Sequence, residues 1–225
     1  MTKEFREKNE LSTIEKILVF LQREDVGYCV QSDSQPPAIP FDLKPTDFME
    51  FAKRDFNENT EKSLVNALSN VKRAIDCRIS SLLWLFGYYE TSKDKHWSFP
   101  QSADFLLRIG IIAPNILKKI NRKRNELEHE FKKPTREDVV DFLDVAELFL
   151  GFTDQFLNKK YDEFDIVAAE EDYPLLFSNL ISEKGLIEMS FEENKQTREE
   201  ASVSTNDEEN YMTILRHLVK CIMQR

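Results

Sequence analysis

The stretch Thr60–Tyr89, TEKSLVNALSNVKRAIDCRISSLLWLFGYY, carries the strongest helix signal in the chain. Its apolar residues recur at steps of three and four positions, the spacing that places side chains on one face of an α-helix. These residues are Leu64, Leu68, Val71, Ile75, Ile79, Leu82 and Phe86. An apolar face of this length predicts the central helix of a helical bundle.

Weaker helix patterns lie on both sides of this segment. Leu11–Gln22 and Thr46–Phe56 precede it and are separated by a loop that contains several prolines, while Ser102–Ile109 follows it. Pro134 prevents the next helix from continuing. Thr135 then starts another amphipathic helix in the manner of a capping box.

The period of the apolar residues changes beyond Tyr161. Phe164 and Ile166 alternate with acidic residues, and the apolar residues of 187–191 alternate with Glu and Ser. Alternation of this kind predicts two strands, which could pair with each other. The pattern of residues 174–183, between the two strands, leaves their structure open.

These patterns predict a mainly α protein, in which a helical bundle carries a small C-terminal β-containing appendage and a terminal helix. Residues 193–210 are charged and nearly without large apolar side chains, which favours a flexible linker. The predicted units are residues 1–58 with N-terminal helices and a proline-rich loop, 59–160 with the bundle, 161–192 with the β-containing extension, 193–210 with the acidic linker, and 211–225 with the terminal amphipathic helix.

Composition excludes several classes of protein. No apolar run approaches the roughly 20 residues that a transmembrane helix needs, and Met1–Glu10 is charged where a secretory signal would be apolar. A cytoplasmic protein with no membrane partner is therefore expected. Cys29, Cys77 and Cys221 are widely scattered, which argues against a disulfide framework or a thiolate zinc site. The sequence predicts neither a bound metal nor a cofactor.

One basic segment stands out in a chain whose formal net charge is -10. Residues 115–136 contain eight Lys or Arg and three Glu, so this segment has a net charge of +5. A local positive field can hold a phosphate backbone while the acidic remainder disfavours indiscriminate binding. The alternative is an ordinary solvated helix face. The candidate backbone contacts are Lys118, Arg122, Lys123, Lys132 and Lys133.

The same segment contains RNELEHEF at residues 124–131. Arg124 supplies a permanent cation, Asn125 a hydrogen-bonding amide, and His129 a group that titrates near neutral pH. Those are the groups that metal-free cleavage of RNA requires.

The Arg-Asn-three residues-His pattern resembles the signature of the HEPN superfamily (higher eukaryotes and prokaryotes nucleotide-binding). The resemblance covers residues 60–157 and implies a HEPN-like helical bundle. It also implies a metal-independent endoribonuclease of a toxin–antitoxin or anti-phage defence system, with RNA as substrate and an antitoxin or defence-system protein as a possible partner. In many members a tyrosine follows the motif histidine by two positions and accepts a nucleotide. Here that position is Phe131, which has no hydroxyl.

The resemblance implies a role for each motif residue. His129 would act as general base or acid, Arg124 would stabilise charge on the phosphorus centre, and Asn125 would orient His129 or hold a phosphate oxygen. On a helix with about 100° per residue, Arg124 falls on the apolar stripe and His129 about 140° away. One chain would therefore struggle to close the site. A second subunit, or early unwinding of the helix ahead of Pro134, would remove this difficulty, and a homodimer is expected.

A non-catalytic interpretation also fits the motif. Arg124 would pair with Glu128 one helical turn later, and His129 would be a solvated surface residue. The protein would then be a HEPN-like helical module that binds nucleotide or a partner protein.

Overall fold

The computed structural model describes residues 11–33, 35–111, 122, 125, 132–168 and 173–224, and folds them into helices packed against one antiparallel sheet. The helices are α1 (Thr13–Leu21), α2 (Pro45–Glu58), α3 (Glu61–Leu85), α4 (Tyr89–Asp94), α5 (Phe99–Arg108), α6 (Arg136–Leu157) and α7 (Glu208–Met223). The strands are β1 (Val26–Asp33), β2 (Lys160–Ala168), β3 (Leu175–Ile181), β4 (Leu186–Asn194) and β5 (Thr197–Ser204). None of the described helices is long and apolar enough to cross a membrane.

The helical part is built on α3, as its apolar periodicity predicts. Helices α2 and α3 form a hairpin that turns at Asn59, a residue with left-handed backbone (φ 52°), and Thr60 caps the start of α3. Helix α6 packs along α3, and both bury their apolar faces in one core. The buried side chains include Val71, Ile75 and Leu82 from α3 and Phe142, Phe149 and Phe156 from α6.

The five strands follow chain order in the sheet, and each is antiparallel to its neighbour. Strand β1 pairs with β2, with Val26 opposite Ala168, although all the helices from α2 to α6 lie between them in the chain. The backbone N–H of Lys160 also donates to the carbonyl of Gln35, 2.9 Å away. The helical part is thus inserted between two adjacent strands.

The two parts of the fold meet where α3 ends. Gly87 (φ 75°) lies against Gly185 (φ 55°) in the turn between β3 and β4. The Tyr211 hydroxyl on α7 donates to the carbonyl of Phe86 at 3.0 Å. The Ser182 hydroxyl donates to the carbonyl of Leu85 at 2.5 Å. The contacts of Gly185 and Ser182 fix the end of α3 to the sheet, and Tyr211 joins the same point to α7.

The prediction of a mainly α bundle with a small β appendage is wrong. The chain has mixed α/β architecture, since a five-stranded sheet forms its second layer. The predicted linker over 193–210 is also wrong, because Thr197–Ser204 forms β5. This strand lies at the edge of the sheet with Val203 as its one fully buried side chain, so its composition resembles that of a solvated linker.

The remaining element predictions agree with the structure more closely. The helices expected at 11–22, 46–56, 60–89 and 102–109, the helix after Pro134 and the terminal helix are all present, with shifted ends. The two expected strands are β2 and β4, but they do not pair with each other. Strand β3, which occupies most of residues 174–183, lies between them.

Thr135 illustrates how the local sequence determines a helix start. Its hydroxyl accepts from the backbone N–H of Asp138 at 3.1 Å, and the Asp138 carboxylate accepts from the backbone N–H of Thr135 at 2.9 Å. We expect Thr135→Ala to lower the free energy of unfolding by about 1 kcal/mol, because the backbone N–H of Asp138 loses its acceptor. Urea denaturation measures this. Thr135→Ser keeps the hydroxyl and should be near neutral; an equal loss in both variants would contradict the capping explanation.

Candidate functional site

The structure describes only part of the predicted RNA-cleaving site. Arg124 and His129, the two groups expected to do the chemistry, lie outside the described residues, as do Lys118 and Lys123. The predicted site residues that are described are Asn125, Arg122, Lys132 and Lys133.

Arg122 and Asn125 both have helical backbone, which agrees at these two positions with the helix predicted from the motif. Arg122 is exposed and Asn125 is half-buried. Asn125 is therefore the less solvent-accessible of these two motif-region residues.

Lys132 and Lys133 are both exposed, and Lys133 makes a described ion pair. Its Nζ lies 2.8 Å and 3.0 Å from the two carboxylate oxygens of Glu61, in the first turn of α3. Both side chains are about three-quarters exposed (74% and 76%), and exposed pairs contribute little to stability. A phosphate group could therefore replace Glu61 at low cost.

Arg136, also in the basic segment, has a structural role. Its guanidinium carbon lies 3.8 Å from the centroid of the Phe56 ring, and Nη1 donates to the carbonyl of Phe56 and to Asn59 Oδ1 at 3.2 Å and 2.9 Å. Stacking and hydrogen bonding together hold Arg136 on the hairpin of α2 and α3. The positive charge of residues 115–136 is therefore not all available to a ligand.

The two flanks of the motif segment are fixed at opposite ends of α3. On one side, Arg108 forms an ion pair with Glu208 at 2.9 Å, and its carbonyl accepts from Arg216 Nε at 3.0 Å. Both partners belong to α7, which contacts the end of α3 through Tyr211. On the other side, Lys133 contacts the start of α3. Arg108 and Lys133, on either side of the motif segment, therefore both lie against helices.

The sequence interpretation missed a second candidate site, a cavity of about 400 Å³ between the proline-rich loop and helices α3 and α6. Arg78 on α3 lines it and is buried, at 4% exposure. Its Nη2 donates to Asp154 Oδ1 at 2.6 Å. The sequence does contain a sign of this site, because Arg78 is a charged residue on the apolar face of α3 between Ile75 and Leu82.

Cys77, next to Arg78, is not a good nucleophile. Its thiol donates to the carbonyl of Leu43 at 3.4 Å, and partial burial raises its pKa. The thiol therefore stays protonated near neutral pH, whereas reactive cysteines have a lowered pKa. Within the described residues, no group of three or more His, Cys, Asp or Glu side chains could hold a metal ion.

Comparison with known proteins identifies no relative. No protein-family model, curated protein or solved structure matches the chain.

Proposed function

We propose that this protein is a metal-independent endoribonuclease whose catalytic residues are Arg124, Asn125 and His129. The single observation that carries the proposal is the occurrence of this motif inside the one strongly basic segment of an acidic chain. The helical backbone of Arg122 and Asn125 supports it, because the motif is expected to lie on a helix.

The proposed reaction is transesterification within the RNA strand. The ribose 2'-oxygen forms a bond to the adjacent phosphorus, and the bond from phosphorus to the 5'-oxygen breaks. A base takes the proton of the 2'-hydroxyl, and an acid gives one to the departing 5'-oxygen. The products are a 2',3'-cyclic phosphate and a free 5'-hydroxyl.

Each motif residue has one role in this reaction. His129 carries the proton, since the ordinary pKa of histidine, about 6.5, suits both base and acid. Arg124 binds the nonbridging phosphate oxygens with its planar fork as charge develops there. Asn125 orients the imidazole or holds a phosphate oxygen. Because one reaction needs an acid and a base, two subunits of a homodimer each contribute one histidine.

The cations of the basic segment bind the RNA backbone. They are Lys118, Arg122, Lys123, Lys132 and Lys133. Contacts of this kind position the strand without reading its sequence. Lys133 would exchange Glu61 for a phosphate when RNA binds. The HEPN resemblance places such an enzyme in a toxin–antitoxin or anti-phage defence system in the cytoplasm, where an antitoxin or another defence protein would control it.

Incubation of the purified chain with total RNA in the presence of a chelator tests this function. We expect cleavage that EDTA does not reduce, because no step requires a metal. The new 3' ends should resist ligation until the cyclic phosphate is removed, and the new 5' ends should accept phosphate from a kinase. Intact RNA, or cleavage that the chelator abolishes, would reject the proposal.

A second candidate is a non-catalytic module that binds nucleotide or a partner protein. The contacts of Arg136 and Lys133 favour it, because they engage two cations of the basic segment within the chain. Retention of RNA or nucleotide without any cleavage would identify this alternative.

A further inference from the structure

Arg78 presents an unusual physical problem. Its side chain is 5% exposed, yet Nη2 is the only one of its three nitrogen atoms with a hydrogen-bond partner among the described residues. Nε and Nη1 are buried and have none. Buried N–H groups of a charged side chain are costly to leave unpaired, and nearly all are paired in folded proteins.

Asp154 neutralises Arg78 incompletely. It makes one hydrogen bond, from Nη2 to Oδ1 at 2.6 Å, where a carboxylate facing the guanidinium could make two parallel ones. The Asp154 side chain is 46% exposed, so its carboxylate can turn into water without a large loss of hydration. The pair therefore combines a fixed buried cation with a removable anion.

The cavity beside this pair has the size and lining of a small-molecule site. Its volume of about 400 Å³ lies in the range of ligand pockets. The apolar walls come mainly from the proline-rich loop and from α6, as Pro36, Pro37, Ile39, Phe41, Leu43 and Leu157. Lys44, Arg78 and Asp154 are the charged residues among the described lining, which gives it a net positive charge.

From these features we infer that the cavity binds an organic anion with an apolar body, whose carboxylate or phosphate oxygens replace Asp154 on Arg78. The oxyanion takes the place of the Asp154 carboxylate as the acceptor from Nη2. The apolar body packs against the proline-rich loop, and Lys44 adds a second positive charge. This site uses neither Arg124 nor His129, so it stands independently of the proposed RNA cleavage.

Titration calorimetry on the full chain can test the site with simple probes. Phenylacetate represents the carboxylate class and phenyl phosphate the phosphate class. Acetate and inorganic phosphate carry the anion without the apolar body, and 2-phenylethanol carries the apolar body without the anion. We expect at least one of the two aromatic anions to bind, and to bind more tightly than its small anion and than the alcohol. If phenylacetate binds more tightly than phenyl phosphate, the natural ligand carries a carboxylate; the opposite order indicates a phosphate.

Two variants test the role of the ion pair. Arg78→Met should weaken binding of the preferred probe about tenfold, because it removes the charge-assisted hydrogen bonds and keeps the volume. Asp154→Asn should tighten binding severalfold, because the competing anion is gone. Arg73→Met removes an exposed arginine from the same helix and should leave the affinity unchanged.

The outcomes separate a binding site from a merely structural ion pair. Absence of binding by both aromatic anions would overturn the proposal, and so would equal binding of 2-phenylethanol. Unchanged or weaker binding by Asp154→Asn would overturn the exchange of anions. If Arg78→Met does not fold, as circular dichroism would reveal, the direction of the Asp154→Asn effect decides.

Discussion

Alanine at position 129 or 124 should reduce the rate of RNA cleavage by at least about 10² while the fold is retained. Loss of a general acid or base typically costs a factor of about 10² to 10⁴, and loss of a group that stabilises the developing charge costs about 10² to 10³. The measurement is the rate of cleavage of a labelled RNA in the presence of chelator, with circular dichroism and thermal denaturation as tests of folding.

Matched controls exist elsewhere in the chain. His96→Asn replaces an exposed histidine outside the motif, and asparagine tolerates the positive φ of that position (49°). Arg73→Ala removes an exposed arginine of α3. Both should cleave RNA at the wild-type rate. Full activity in either motif variant would remove that residue from the mechanism.

Mixing wild-type protein with an excess of His129→Ala protein tests the shared site. If a homodimer needs one histidine from each chain, mixed dimers are inactive. The total cleavage rate at constant total protein concentration then falls as the square of the wild-type fraction. If each chain acts alone, activity falls in proportion to that fraction. The comparison is made after subunits have had time to exchange.

Gly87→Ala should lower the free energy of unfolding by about 4 kcal/mol, because the added methyl group meets packed atoms and the backbone there is strained for alanine. A Cβ at this position would lie 2.6 Å from Gly185 Cα and 2.7 Å from the Tyr211 hydroxyl oxygen. The φ of 75° adds strain, because residues with a side chain rarely adopt it. Backbone on one side and a hydrogen-bonded tyrosine on the other leave little room for adjustment.

Gly151→Ala is the matched control for urea denaturation. Gly151 lies within α6, is exposed, and would place its Cβ in open space. Alanine there should stabilise the protein by up to about 1 kcal/mol, because glycine weakens a helix interior. A Gly87→Ala variant as stable as the wild type would mean that the junction of helices and sheet can separate at little cost.

The sequence predicts helices well and strands poorly in this protein, for identifiable reasons. The apolar residues of α3 recur over many turns, so its period is clear. The run of β3, LLFSNLI, is short and nearly continuous in apolar residues, so its period is ambiguous. Strand β5, TREEASVS, is polar because it lies at the sheet edge, where Lys16 and Thr13 of α1 contact Glu199. Strand pairing is non-local information that no short window contains.

The candidate site residues likewise fall into those that local sequence predicts and those that only the fold brings together. The motif and its charge are local features, so residue types and spacing were enough to propose Arg124, Asn125 and His129. The cavity at Arg78 depends on Asp154 and the proline-rich loop, which are distant in sequence and meet only in the fold. The structure also assigns Arg136 to the hairpin of α2 and α3, which the charge count could not separate from ligand contacts.

The pairing of β1 with β2 bears on how the protein acquires its structure. Strands β2 to β5 follow one another through short connections, so they can pair early in folding as a β-meander. Strand β1 can pair only when the two ends of residues 34–159 have been brought together, and the chain entropy lost in doing so must be offset by the packing of the helices within this segment. We therefore expect β1, the first strand in the chain, to join the sheet last during folding. We also expect it to separate first during local unfolding of the native state.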